Sequence, residues 1–130
     1  MVNGRYLLDT NVIIALFAKD PRIHDRLETA EEVFVPSIAL GELYFGAYKS
    51  SKIADNLARI DEFALNNAVL SCDTAIAKKY GEIKNRLKEK GQPIPENDIW
   101  IAALAQEHDL TLITNDTHFT VVENLKIETF

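Results

Sequence analysis

The sequence predicts an α/β fold, a single three-layer α/β/α domain built on a mostly parallel sheet of four to five strands. The main observation is that short apolar strand-like runs alternate with longer segments of helical periodicity along the whole chain. The first apolar run, Tyr6–Leu8, breaks abruptly into Asp9-Thr10-Asn11 and then becomes apolar again, as a buried strand does when it feeds a helix. The 130 residues are enough for one core that buries roughly two-thirds of the unfolded surface, so we expect residues 1–130 to form one domain.

The expected elements follow in a regular order. Strands are predicted at residues 5–8, 33–35, 68–71, 110–114 and 125–128. Helices are predicted at residues 12–18, from 21, and at 37–48, 53–65 and 74–90, and a last one opens at Asn97 or Asp98. Pro21 suits a first helical turn, Ser37 and Asp73 are expected caps, and Gly91 ends the longest helix.

The composition is typical of a globular protein, with 47% hydrophobic and 26% charged residues. The longest apolar runs, residues 12–18 and 99–105, have seven residues each. A membrane span needs about 20 apolar residues, so none is expected. The N-terminus lacks a signal-peptide pattern, and the one cysteine, Cys72, forms no intramolecular disulfide. We therefore expect a cytoplasmic protein.

The net charge of -6, from 20 acids and 14 bases, argues by itself against nucleic-acid binding. Acids that hold metal ions would change this balance. Two divalent cations on four carboxylates would bring the charge from -6 to -2, so the charge does not decide the matter.

Two acids follow strands that are expected to be neighbours. Asp9 ends the first strand, and Asp116 lies two residues beyond the fourth. If these strands are parallel neighbours at the switch point of the sheet, their carboxyl ends bring the two acids together. The alternative for Asp116 is ordinary turn chemistry, since Asn-Asp is common in loops.

Two further acids lie on helices. Glu42 shares a helix face with Ile38 and Phe45, and we expect that face to pack on the sheet, where an unpaired carboxylate is costly. The alternative is an edge position from which the side chain reaches water. Asp98 suits a helix cap, but its helix leads directly into the fourth strand, which places its N-terminus at the same sheet edge as Asp9.

Four acids at one edge repel one another unless a cation compensates, and oxygen ligands of this kind suit Mg²⁺ or Mn²⁺. One or two such ions activate water and assist in-line displacement at phosphorus. Thr10, Asn11, Ser37 and Thr114 are expected to supply neutral hydrogen bonds around the acids. The three histidines, His24, His108 and His118, show no metal-ligand spacing and are assigned no catalytic role.

Four segments in this order resemble the PIN-domain nucleases, and more narrowly the VapC-type toxins of toxin–antitoxin pairs. They are Asp9-Thr10-Asn11, residues 37–43 around Glu42, residues 97–103 around Asp98, and Thr114-Asn115-Asp116. The resemblance covers essentially the whole chain. Many members carry a further acid shortly after the last site aspartate, where this chain has Thr117-His118-Phe119. A fifth acidic ligand is therefore missing from that position.

The resemblance implies a Mg²⁺- or Mn²⁺-dependent endoribonuclease. Its catalytic and metal-binding quartet would be Asp9, Glu42, Asp98 and Asp116, supported by Thr10, Asn11 and Thr114. It further implies a homodimer that is neutralised by a small VapB-like antitoxin, whose tail covers the active-site groove.

Residues 78–90 carry six of the 14 positive charges. Lys84, Arg86 and Lys88 are candidates for contacts with RNA phosphates, and the alternative is a solvated helix end, where cations are favoured.

Other functional classes remain open at this stage: a housekeeping PIN nuclease, an inactive regulatory or binding module, and a phosphatase of the haloacid-dehalogenase type. The phosphatase chemistry usually needs a second aspartate two residues after the first, where this chain has Asn11.

Overall fold

A computed structural model describes residues 4–130 and contains five strands in one sheet. The strands are β1 (Arg5–Leu8), β2 (Glu32–Pro36), β3 (Ala68–Leu70), β4 (Thr111–Ile113) and β5 (Ile127–Glu128). Their order is β3-β2-β1-β4-β5, and every neighbouring pair is parallel. The predicted α/β class is confirmed, and β1 and β4 are neighbours at the switch point, as the argument for Asp9 and Asp116 required.

Helices connect the strands. They are α1 (Thr10–Phe17), α2 (Pro21–Glu28), α3 (Ser37–Tyr48), α4 (Ile53–Leu65), α5 (Thr74–Glu89) and α6 (Glu96–Glu107), followed by a 3₁₀ helix at Thr117–Val121. Within the part of the chain that the structure describes, no helix has the length and apolar character needed to cross a membrane.

The sheet separates two hydrophobic clusters, which confirms the three-layer arrangement. Successive residues of a strand point to opposite faces, and so Leu7 belongs to one cluster and Leu8 to the other. Leu7 packs with α5, α6 and the 3₁₀ helix, whereas Leu8 packs with α1, α2, α3 and α4. Helix α6 buries Ile99 and residues 101–105, which form most of its apolar run.

Several boundaries differ from the predicted ones. Helix α1 begins at Thr10 rather than at residue 12, because the Asp9 side chain accepts a hydrogen bond from the Thr10 amide and caps the helix. The caps of α3 and α6 are Pro36 and Pro95, and neither helix has a side-chain cap, so the expected cap at Ser37 was wrong. Helix α6 begins at Glu96 rather than at Asn97 or Asp98. The 3₁₀ helix lies between two predicted strands, in a segment for which the sequence predicts neither helix nor strand.

A carboxylate cluster at the carboxyl edge of the sheet

Asp9 is the most buried acid of the site, with 4% of its surface exposed. It lies where β1 ends and α1 begins. Its carboxylate accepts hydrogen bonds from the Thr10 amide at 2.9 Å, Asn11 Nδ2 at 3.1 Å and Thr114 Oγ1 at 2.7 Å. Burial raises the pKa of Asp9 above its ordinary value, although these hydrogen bonds favour the charged form. The side chain is thus held in one orientation.

The neighbouring strand β4 brings Asp116 to Asp9. The Asp9 amide donates to the carbonyl oxygen of Ile113 at 3.1 Å, which ties the ends of the two strands together. Thr114 Oγ1, fully buried, donates to Asp9 and accepts from the Asp116 amide at 2.9 Å. The two acids are close enough for the charge of Asp116 to contribute to the raised pKa of Asp9. Asp9 and Asp116 thus meet at the ends of neighbouring parallel strands, as the strand order predicts.

Asp98 enters the same cluster from the first turn of α6. Its side chain is 13% exposed. Burial, followed by the charges of Asp9 and Asp116, raises its pKa to about 6, while a hydrogen bond with His118 acts in the opposite direction. The Asp98 side chain does not cap the helix, so the interpretation of Asp98 as a cap was wrong. Its position at the same sheet edge as Asp9, inferred from the direction of the helix, is confirmed.

Glu42 reaches the site in a different way from the one expected. The buried residues of α3 are Ala39, Leu40, Leu43 and Ala47. Glu42 is exposed, and its supposed neighbour in the core, Phe45, is 64% exposed, so the burial argument was wrong. Its Oε1 nevertheless accepts a hydrogen bond from Thr10 Oγ1 at 2.9 Å. Thr10 binds Asp9 through its amide and Glu42 through its hydroxyl, and it therefore links the two acids.

His118 was missed by the sequence analysis. Its Nδ1 lies 3.2 Å from Asp98 Oδ2 and 3.0 Å from Asp116 Oδ1, so it sits against both acids. The available signal was its position two residues after Asp116, one of the predicted site acids. The three side chains offer ligand atoms that all lie within 4.8 Å of one another.

Asn11 joins the two strand ends from the side of α1. Its Nδ2 donates to Asp9 Oδ2, and its Oδ1 accepts from the Asn115 amide at 3.2 Å. Thr10, Asn11 and Thr114 thus make hydrogen bonds around the acids, as expected, whereas over residues 4–130 the Ser37 side chain makes none with them.

The three candidate RNA contacts lie in different surroundings. Lys84 Nζ pairs with Glu96, two residues before Asp98. Arg86 lines a groove with Leu110 and Lys126, residues that precede β4 and β5 and so lie at the opposite edge of the sheet. Lys88 is exposed in the last turn of α5. A role for these residues in RNA binding stays a prediction.

The donor set fits a divalent cation. Burial and the charge of Asp116 raise the pKa of Asp9, and burial and the charges of Asp9 and Asp116 raise the pKa of Asp98, as happens when carboxylates share a site. Over residues 4–130, no Lys or Arg side chain lies within ion-pair distance of these three acids. Carboxylate oxygens are the ligands preferred by Mg²⁺ and Mn²⁺. The site therefore has the charge and the chemistry that such an ion requires.

A parallel α/β sheet with carboxylates converging at its carboxyl edge is an arrangement suited to metal-assisted hydrolysis. The family model for the PIN domain matches residues 6–125. Ribonuclease VapC2 of Haemophilus influenzae is 38% identical over 114 residues, which cover 86% of each chain. The tRNA(fMet)-specific endonuclease VapC of Shigella flexneri is 33% identical over 127 residues, covering 95% of this chain and 96% of the relative.

Among solved structures, the DNA-bound VapBC of Salmonella typhimurium superimposes with a TM-score of 0.89 at 32% identity, covering 97% of this chain and 98% of that one. These matches extend over nearly the whole of each chain. The chain belongs to the PIN-domain family and, within it, to the VapC ribonucleases.

Proposed function

We propose that this chain is the toxin of a toxin–antitoxin pair, a VapC-type endoribonuclease that hydrolyses RNA phosphodiester bonds with the help of a divalent cation. The observation that carries the proposal is the convergence of Asp9, Asp98 and Asp116 at one sheet edge, where burial and the neighbouring charges raise the pKa of Asp98 to about 6. Relatives over nearly the full length are named ribonuclease and tRNA(fMet)-specific endonuclease, which supports RNA as the substrate.

We assign the binding of Mg²⁺ or Mn²⁺ to Asp9, Glu42, Asp98 and Asp116. A cation held there would supply positive charge to activate a water molecule and to stabilise the charge that develops at phosphorus. The task of Thr10, Asn11 and Thr114 is to orient these carboxylates, as their hydrogen bonds to Asp9 and Glu42 indicate. Because Asp9 is buried and held by three donors, its orientation is set before a ligand arrives.

The first test is RNA cleavage by the purified protein, freed of any partner. Mg²⁺ or Mn²⁺ should support cleavage and EDTA should stop it. Asp98→Asn should lower the rate by at least about 100-fold, since it removes one charged ligand of the cation. Glu107→Gln, on the exposed end of the same helix, is the matched control and should cleave normally. Equal cleavage by the wild type and Asp98→Asn would indicate a contaminating nuclease and would contradict the proposal.

The relative from Shigella flexneri points to initiator tRNA as the first substrate to try. Initiator tRNA, an elongator tRNA and ribosomal RNA fragments should be compared at the same concentration, and the cleaved ends mapped. Replacing Lys84, Arg86 and Lys88 by glutamine one at a time tests their assignment as phosphate contacts. Replacing a residue that contacts a phosphate should raise KM and weaken the salt dependence of binding. An unchanged KM would exclude that residue from the substrate site.

We further propose that a small VapB-like antitoxin neutralises the chain, since solved relatives are VapBC complexes. A groove of about 230 Å³ begins at Thr10 and Glu42 and continues along an apolar wall that includes Ile14, Phe17 and Ile60. Ile14 is exposed although it is apolar. An apolar segment of the antitoxin would bury this wall and cover the acids. Ile14→Glu should weaken binding of the partner at least tenfold by calorimetry, and unchanged affinity would place the partner elsewhere.

Toxicity separates this proposal from a housekeeping nuclease of the same family. Induction should arrest growth, and co-expression of the cognate antitoxin should relieve the arrest. We also propose that the chain acts in the cytoplasm, where its RNA substrate is found, and that it forms a homodimer. Light scattering at micromolar concentration should give twice the mass of one chain.

A further inference from the structure

We propose that His118 is a direct ligand of the divalent cation, together with Asp98 and Asp116, and that its imidazole makes the site favour Mn²⁺ over Mg²⁺. This inference rests on the metal site of the proposed function and adds to it a ligand that the carboxylate quartet lacks. It is carried by the position of one nitrogen atom between two carboxylates.

The distances match those between adjacent ligands of one metal ion. Two adjacent ligands at right angles, each about 2.1 Å from a cation, lie about 3.0 Å from one another. His118 Nδ1 lies 3.0 Å from Asp116 Oδ1 and 3.2 Å from Asp98 Oδ2. The ligand atoms of the three residues lie within 4.8 Å of one another. Little movement of the side chains would be needed to place all three around one ion.

Hydrogen bonding alone accounts for only part of this arrangement. A ring nitrogen carries at most one proton, and that proton points along one direction in the plane of the ring. Nδ1 faces carboxylate oxygens from two different elements, α6 and the segment after β4. One proton cannot make a well-aligned bond to both, whereas a cation on the same side of the ring can contact all three groups.

The backbone of His118 is held in place by its neighbours. His118 lies in the 3₁₀ helix, and the residue after it, Phe119, is fully buried in the core. The His118 amide also donates to Asp116 Oδ1 at 2.9 Å, which holds these two residues in register. The His118 side chain is 51% exposed, so the outer side of the cluster is open to water and to a substrate phosphate.

The chemistry of the ligands gives the expected selectivity. Mg²⁺ prefers oxygen ligands, whereas imidazole suits transition-metal ions, and the affinity of nitrogen-containing sites rises along the series that begins with Mn²⁺. An acid at this position would make the site all-oxygen. Histidine in its place adds a nitrogen donor, and this donor favours Mn²⁺ relative to Mg²⁺.

The decisive experiment is pulsed electron paramagnetic resonance of Mn²⁺ bound to the intact, otherwise metal-free protein. Direct ligation gives a nitrogen coupling that changes when histidine is labelled with ¹⁵N, and this comparison needs no substitution. His118→Gln should remove the coupling. His24→Gln is the matched control, because His24 lies in an exposed group with Asp25 and Glu28 that is the other candidate cluster among the described residues. This control should keep the coupling.

Calorimetry supplies the second readout. His118→Gln should weaken Mn²⁺ binding by at least about tenfold, the loss typical when a metal site is disturbed, and should change Mg²⁺ binding by no more than about twofold. His118→Asp should bind Mg²⁺ at least as well as the wild type and lose the preference for Mn²⁺. Circular dichroism verifies that each variant is folded.

The outcomes separate this inference from the proposed function. Tight Mn²⁺ binding without nitrogen coupling, with equal affinity in His118→Gln, overturns the role of His118 and leaves the carboxylate site standing. Nitrogen coupling that persists in His118→Gln and disappears in His24→Gln also overturns it. A wild-type protein that binds neither Mn²⁺ nor Mg²⁺ contradicts the proposed function itself and the inference with it.

Discussion

Replacing Asp98 by asparagine should make the metal-free protein more stable at neutral pH while it abolishes activity. The carboxylate of Asp98 is largely buried beside Asp9 and Asp116, and burial and these two charges raise its pKa from 3.8 to about 6. The native state therefore holds this proton more tightly than the unfolded state does. The resulting stability is fully present below about pH 4 and is lost as the pH rises through about 6.

The magnitude follows from the size of the shift. Each pKa unit corresponds to about 1.4 kcal/mol, and a shift from 3.8 to about 6 gives an upper bound of about 3 kcal/mol at pH 7.5. The side chain is 13% exposed, and screening by solvent reduces the expected cost of the charge to about 1–2 kcal/mol. Asparagine removes the charge and keeps an oxygen that can accept a hydrogen bond from His118.

Urea unfolding in the presence of EDTA measures the difference, with the fluorescence of Trp100 as the probe, since it is the one tryptophan of the chain. The unfolding free energy of Asp98→Asn should exceed that of the wild type by about 1–2 kcal/mol at pH 7.5, and the two values should converge towards pH 4.5. Glu107→Gln should stay within about 0.5 kcal/mol of the wild type, as exposed substitutions usually do.

Addition of Mg²⁺ or Mn²⁺ should make the wild type more stable than Asp98→Asn, because an ion that binds only the native state stabilises it. At about 100 times the dissociation constant, this effect is about 2.7 kcal/mol for the wild type. The variant should gain far less. A metal-free Asp98→Asn that is less stable than the wild type at pH 7.5, or a constant difference between pH 4.5 and 7.5, would refute the argument from charge repulsion.

Three further substitutions test the supports of the site and of the fold. Thr114→Val removes the buried hydroxyl that links Asp9 to Asp116 and should cost about 1–3 kcal/mol in urea unfolding at pH 7.5; a neutral result would mean that the link is dispensable. Thr10→Val removes the hydroxyl that orients Glu42 and should reduce kcat at least tenfold. Because this hydrogen bond is exposed, the unfolding free energy should change by less than about 1 kcal/mol. An unchanged kcat would exclude Thr10 as a positioning residue. Gly91→Ala places a side chain at φ +64° after α5 and should lower stability by about 1 kcal/mol, whereas Gly81→Ala, inside α5, should not destabilise.

The fold class and most of the acidic cluster follow from local patterns in the sequence. Hydrophobic periodicity locates strands and helices, and the rule that parallel strands share one carboxyl edge then brings Asp9 and Asp116 together. The same reasoning placed Asp98, because a helix that leads into a strand must begin at that strand's carboxyl edge. These inferences need only the order and direction of elements, which short-range patterns specify well.

The details that depend on side-chain packing were not accessible in this way. Glu42 faces solvent because Leu40 and Leu43 lie on the buried face of α3. Since α3 has apolar residues on several sides, its sequence does not specify which side faces the sheet. The contact of His118 with Asp98 joins residues 20 positions apart through a 3₁₀ turn, and no periodicity in the sequence marks such a turn. Distances between side chains from different elements depend on how the core packs them, and that packing is a property of the folded chain as a whole.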